Sequence, residues 1–456
     1  MTIAGLLFAF VTLLLAGAGV ALLAQRGRAR INFLETWALS WFFGSGVVSF
    51  LLWSGGAFLS GIGLQTSVTV VAVTLGVFGF ALARKSGARV FFPKPHGATE
   101  WLLVAVIGLE LGLMYYAALG TNLGWDGLLN WEAKARYAFQ NHGILPAAYF
   151  QDEARVFTHP GYPLWVPFTE LWLYLGMGAA NQFWLKFLFP GFYAMGVVLL
   201  VVLASRLTER RWAGLLVGAL IFFVPCLINV SGGAQEGYVD LPLGLLYLGG
   251  VGYLLLAGTS GETASWRLSA LFLALLPWAK REGAILWLVV VIGGVVLVWR
   301  RRRSWQYQLW LLPGAGILLA WKIFLHRMKL TASDDFVPVT LATLQTNLPR
   351  AGTIARLLGE ELIATSRWSI FWVLVALGFG VLLLRARDRQ LLILASAIFA
   401  PMAAYAGAYF FSGWGDWVEH IHSSLTRLLL QLMPVAWLVI ALAVSPPRDR
   451  PAEDVG

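Results

Sequence analysis

The chain reads as an all-α polytopic membrane protein, and three observations say so. Of its 456 residues 59% are hydrophobic and only 12% charged, with a mean hydropathy of +0.73, where a soluble domain carries about 25% charge. Apolar runs of about 17 to 25 residues, the length that crosses a hydrocarbon core, recur from one end to the other. The runs are continuous rather than alternating, which excludes a β-barrel.

Thirteen candidate spans follow in order: 4–24, 34–54, 62–83, 100–119, 183–204, 212–230, 240–257, 267–279, 284–299, 306–325, 368–384, 390–411 and 425–444. The opening MTIAGLLFAF has no basic n-region of a cleavable signal peptide, so the first run is expected to be retained. Tyr162 to Gly178 is apolar but short and broken by Pro163 and Pro167. It is expected as a juxtamembrane or re-entrant helix packed on protein rather than lipid. With the eighth run also short, twelve to fourteen crossings are expected.

Charge sets the sidedness. Arg26, Arg28 and Arg30 follow the first span, and Arg84, Lys85, Arg89 and Lys94 the third. Arg206, Arg210 and Arg211 follow the fifth, Arg300 to Arg303 the ninth, and Arg385, Arg387 and Arg389 the eleventh. All fall on one side if every run crosses and the N-terminus is outside, and the positive-inside rule makes that side cytoplasmic. The net charge of +10 resides in these clusters, so it orients the chain and does not imply a nucleic-acid partner. Cys226 is the only cysteine, which rules out an intrachain disulfide.

The other side receives the acids and five of the six histidines, in loops 120–161, 231–239, 280–283, 326–367 and 412–424. Residues 1–98 are expected as an N-terminal three-helix membrane segment and 99–304 as a membrane core that includes the outer loop 120–161. Residues 305–444 supply the C-terminal helices, and 445–456 a cytoplasmic tail.

The first outer loop is the richest. Helix is expected from Leu128 onward, with Asp126, Asn130 and Lys134 on one face and Glu132 paired with Arg136 at i+4. Asp126 before Gly127 is either a helix N-cap or a carboxylate held as a general base. Further on, Pro-bracketed His159 is a turn residue or a ligand for a phosphate or sugar hydroxyl. Glu236 and Asp240 sit where a glycine-rich turn meets a helix start, as caps or solvent-facing acids, or with Asp240 as a functional acid at the membrane boundary.

Lys280 and Arg281 stand on the side opposite the arginine clusters, where binding an anionic headgroup explains them; pairing with Glu282 or snorkelling is the plainer alternative. Near the end lie Asp416, Glu419, His420, His422 and Arg427. The two histidines suggest a metal, but the ligand set is looser than zinc sites require, and Arg427 is a second phosphate candidate. No cofactor is implied, and a divalent metal has nothing specific behind it. Glu110 and Lys186 lie inside spans and should face the bundle, paired with each other or with a neighbour.

These motifs come in an order. An Asp after a span is followed by a His-Pro-introduced juxtamembrane helix, then GYVDLP, then Lys-x-Glu-Gly, then Ser-Leu-x-Arg-Leu-Leu-Leu-Gln. The order resembles the GT-C superfamily of membrane glycosyltransferases, most closely bacterial relatives of protein O-mannosyltransferases and lipid A aminoarabinose transferases. The likeness covers roughly residues 99–300, with an echo at 412–434. The resemblance implies a transferase that moves a sugar from a polyprenyl-phosphate carrier to a glycan, lipid or protein acceptor, on the outer face of the bacterial cytoplasmic membrane. It makes Asp126 the base, with Glu132 a substitute where relatives carry two adjacent acids. It makes Lys280, Arg281 and Arg427 the donor-phosphate ligands. His159, Asp240, Trp125, Lys134 and His420 would contact the substrate. The rival from composition is a transporter or lipid flippase using Glu110, Lys186 and Asp240; it lacks the paired broken helices of inverted repeats.

Overall fold

A computed structural model describes residues 2–229, 232–300, 309, 311–330, 335–385 and 388–445. The first four apolar runs are single helices, Thr2–Ala24, Phe33–Gly55, Gly61–Lys85 and Gly97–Gly120. The fifth run is a short Gln182–Leu185 turn followed by Leu188–Thr208. The sixth is broken into Arg211–Leu220, the 3-10 turn Ile221–Phe223 and Cys226–Asn229, with Pro225, which has no N–H to donate, at the break. Asp240–Ser260 and Thr263–Ala279 fold back on each other through Gly261, whose φ of +71° is the left-handed end that glycine accepts. Arg281–Arg300, Leu312–Arg327, Phe371–Leu384 and Asp388–Ala408 follow. The last run starts earlier than its hydropathy indicates, as Trp417–Leu430, and bends by 47° into Met433–Val444.

Among the described residues, seven of these helices are long and apolar enough to cross a membrane, eight if the bent pair is one span. The protein is therefore an all-α polytopic membrane protein. The arginines at 301–303 and 387, and the tail from 446, lie outside the described residues.

The Trp165–Met177 helix packs on protein, as the prolines at its start suggested. Nearly all of it is buried, and its indoles need partners there. Trp165 Nε1 donates to Ser45 Oγ at 3.0 Å and Trp172 Nε1 to the Ala9 carbonyl at 3.0 Å. Trp278 Nε1 donates to Ser49 Oγ at 3.0 Å. These bonds cross residue 98 and tie the first two helices into the core.

Three of the arginine clusters, at 26–30, 84–94 and 206–211, meet on one face. Arg28 and Arg206 both grip Glu35, each at 3.0 Å, and Glu262, at 2.7 and 2.8 Å. A parallel pair of three-residue strands, Arg30–Asn32 with Arg89–Phe91, closes the same face; three-residue strands have no periodicity to read. Asp240 opens the 21-residue helix that ends just before Glu262. At 1.5 Å per residue the two ends are about 31 Å apart, the thickness of a hydrocarbon core.

Close backbone approach sets the packing of the first helices. A Cβ on Gly17 would lie 1.8 Å from the Ser40 carbonyl oxygen, and one on Gly44 2.1 Å from that of Leu13. Small residues at such crossings are how membrane helices gain contact without a hydrophobic drive. Gly17→Leu is expected to cost at least about 2 kcal/mol, whereas Gly112→Leu, with nothing within 4 Å, changes little. Thermal unfolding of the two variants in detergent compares them.

Candidate functional site

The start of the Asp240–Ser260 helix is a meeting point of charged side chains from distant segments. Asp240 is the first helical residue, with Val239 as the N-cap, and is 1% exposed. It is neither a cap nor a solvent-facing acid. Its Oδ1 accepts from Lys280 Nζ and from Gln431 Nε2, both at 2.7 Å. Tyr405 holds Gln431 in turn, its hydroxyl donating to Oε1 at 2.7 Å. Lys280 also meets Glu282 Oε1 at 3.1 Å. Burial would lower the Lys280 ammonium, but Asp240 and Glu282 outweigh it and hold it above the usual lysine range.

One turn before Gln431, Arg427 reaches across to Asp126, and the two form an ion pair. Asp126 makes no N-cap hydrogen bond, which corrects the capping alternative. Helix begins at Trp125, not Leu128, and Gly127–Glu132 is a π-helix, a form that concentrates at functional sites. Gly127 permits this approach, since a Cβ there would lie 2.2 Å from the Glu236 carbonyl oxygen. Arg427 also lies over the Tyr238 ring, 5.5 Å from its centroid. Arg281 and Lys280 stand 5.2 and 5.9 Å from the Tyr162 ring centre, and Tyr162 stacks on Trp131 at 5.4 Å.

Among the described residues, three buried polar atoms in this cluster find no hydrogen-bond partner: Asp240 Oδ2, Glu282 Oε2 and Arg427 Nε. Two acceptors and one donor left open in one place are an exception to the near-complete pairing of protein interiors.

The first loop is anchored beside this cluster. Lys134 is 0% exposed, and its ammonium donates to the backbone carbonyls of Asn130 and Thr158. Burial lowers its pKa to about 7, opposed by Asp126 and Glu170. Next to Thr158, His159 adopts a left-handed φ of 45° and sits 3.6 Å from Asp335 Oδ2. Burial holds His159 below the usual histidine range, against the pull of Asp335. Asp335 also lies 3.4 Å from Trp414 Nε1, so one carboxylate joins three loops.

Other candidate residues have separate places. Glu132 is buried, pairs with Arg136 at 2.7 Å, as the i+4 spacing indicated, and accepts from the Tyr174 hydroxyl. His420 stacks on Trp414 at 4.6 Å and meets Ser412 Oγ at 2.8 Å. Trp125 is 71% exposed beside Asp126. Asp416 caps the Trp417–Leu430 helix. Glu110 and Lys186 do not pair: Lys186 binds the carbonyls of Leu119 and Thr121 at 2.9 and 2.8 Å, and Glu110 is buried in its helix. Among the described residues, no three His, Cys, Asp or Glu side chains gather as a metal set.

Gln431, Tyr405, Tyr162 and Asp335 had no role from the sequence. A glutamine inside the apolar LLLQLMP was the one signal available for Gln431. Comparison of the chain with protein-family models, with curated proteins and with solved structures finds no match.

The buried lysine gives a pH test. A lysine whose native pKa is below its unfolded value binds fewer protons when folded, so stability rises with pH between about 7 and 10.4. Between pH 7 and 9 this gain is at most about 2.7 kcal/mol. Lys134→Met is expected to lose that part of the wild type's rise, read as thermal unfolding at both pH values.

Proposed function

We propose that the chain is an integral membrane glycosyltransferase of GT-C type, with twelve to fourteen crossings and its site on the outer face of a bacterial cytoplasmic membrane. It moves a sugar from a polyprenyl-phosphate donor to a glycan, lipid or protein hydroxyl, with inversion. The observation that carries this reading is the set of open polar atoms among Asp240, Glu282 and Arg427. Two carboxylate oxygens suit sugar hydroxyls, and a guanidinium N–H suits a phosphate oxygen. A sugar phosphate supplies both.

In this reaction the acceptor oxygen attacks the anomeric carbon as its proton passes to Asp126. The bond from that carbon to the phosphate oxygen breaks, and polyprenyl phosphate departs with one more negative charge. The Asp126–Arg427 pair couples the two events. A carboxylate that takes a proton loses its hold on the guanidinium, and Arg427 is then free to meet the charge growing on the phosphate. Arg281 is the second phosphate ligand. Lys280, already shared by Asp240 and Glu282, keeps those acids ionised and placed toward the sugar. Trp125 and Tyr162 offer ring faces beside it, and His159 and Lys134 hold the loop that covers it. His420 steadies the adjoining loop.

Asp126→Asn in nanodiscs, given a panel of polyprenyl-phosphate sugars, is expected to slow release of polyprenyl phosphate at least about 100-fold while still binding the donor. Full activity in that variant removes Asp126 as base. Movement of intact donor across the bilayer with no release turns the reading to a flippase.

A further inference from the structure

The arginine-bearing face, about 31 Å from the proposed reaction, holds a cavity that the reaction does not use. It has a volume of about 620 Å³ and is lined by residues of the Gly97–Gly120, Leu188–Thr208 and Arg211–Leu220 helices and of the 91–96 segment, a size typical of ligand sites. Its lining is divided. Ile107, Val198 and Val201 belong to an aliphatic part, and Arg30, Lys94, Arg206 and Arg211 supply cations. The Gly97–Gly120 helix is loosely covered, with only Glu110, Met114 and Ala118 buried. A crevice behind such a helix is open to hydrocarbon in a bilayer.

The charges do not cancel. Arg206 is held by Glu35 and Glu262, and Arg211 lies 3.7 Å from Glu100, which also accepts from the His96 N–H at 2.7 Å. Arg30 rests over the Phe91 ring at 4.7 Å. Among the described residues, neither Arg30 nor Lys94 forms an ion pair. Two uncompensated cations therefore stand beside an aliphatic hollow. A soluble anion has no use for the hollow, and a zwitterionic headgroup brings a cation to a place already positive. Basic pockets between membrane helices take anionic headgroups for this reason.

We propose that this cavity binds an anionic glycerophospholipid of the surrounding bilayer, one acyl chain among the valines and the phosphate at Arg30 and Lys94. The test is a titration of the delipidated full chain with dioleoylphosphatidylglycerol, read by native mass spectrometry. The wild type retains this lipid in preference to dioleoylphosphatidylcholine. The double variant Arg30→Ala/Lys94→Ala retains it on the order of 30-fold less well. Arg84→Ala/Lys85→Ala, which removes two cations outside the cavity lining, binds as the wild type does. Millimolar inorganic phosphate or glycerophosphate, which have the charge but no chain, fail to displace the lipid. Equal retention of both lipids, equal loss in the two double variants, or displacement by the free phosphates each overturns the proposal.

Discussion

Everything on the charged face depends on keeping an ionised carboxylate at Asp240 inside the protein. A buried charge is tolerated only when paired and hydrogen-bonded, and removing one partner of such a pair costs about 3–5 kcal/mol. Here Asp240 and its two partners come from three helix ends. Asp240 opens one helix, where the macrodipole favours an anion, Lys280 follows the end of the next, and Gln431 sits at the bend between the last two helices. Meeting this single requirement fixes the relative positions of those ends. It also places Arg427, one turn before Gln431, where it reaches Asp126.

The first loop solves a second burial problem in a different way. Among the described residues Lys134 has no carboxylate within bonding distance, and it places its ammonium on two backbone carbonyls 28 residues apart in sequence, Asn130 and Thr158. Carbonyl dipoles compensate a charge less well than a carboxylate does, which is why burial drives its pKa down to about 7. The lysine latches the π-helix to the turn that carries His159 in its left-handed conformation. Strain of that kind persists only where the surroundings over-determine it, and here Asp335 and Tyr162 flank the ring.

Hydropathy is a local quantity, so the helices at the thirteen apolar runs, and the protein-packed Trp165–Met177 segment, were legible in the sequence. The Glu132–Arg136 pair was legible for the same reason, being one turn apart. What the chain does through space was not. Asp126 and Arg427 are 301 residues apart, and nothing near Asp126 distinguishes a helix cap from the partner of a distant guanidinium. The π-helix, the bend before Met433 and the partners of Gln431 have the same origin: each depends on a neighbour that local pattern does not name. Lys186 is a further case: its place in an apolar run could not show that it satisfies the last carbonyls of a neighbouring helix rather than pairing with Glu110.

The two polar faces explain one another. On one, Arg28 and Arg206 share Glu35 and Glu262, so these arginines are bound into a network. Lys280, Arg281 and Arg427 stand at the opposite end, where, in the proposed orientation, the positive-inside bias gives them no support. Acids hold two of them there instead: Asp240 and Glu282 hold Lys280, and Asp126 holds Arg427. A cation kept against the orienting bias, matched by carboxylates whose second oxygens remain open, is arranged for something besides topology. A buried ion-pair cluster is weak support for stability by itself, since well-packed apolar side chains of similar volume often do as well. In the proposed reaction, a donor that carries both hydroxyls and negative charge meets those open atoms.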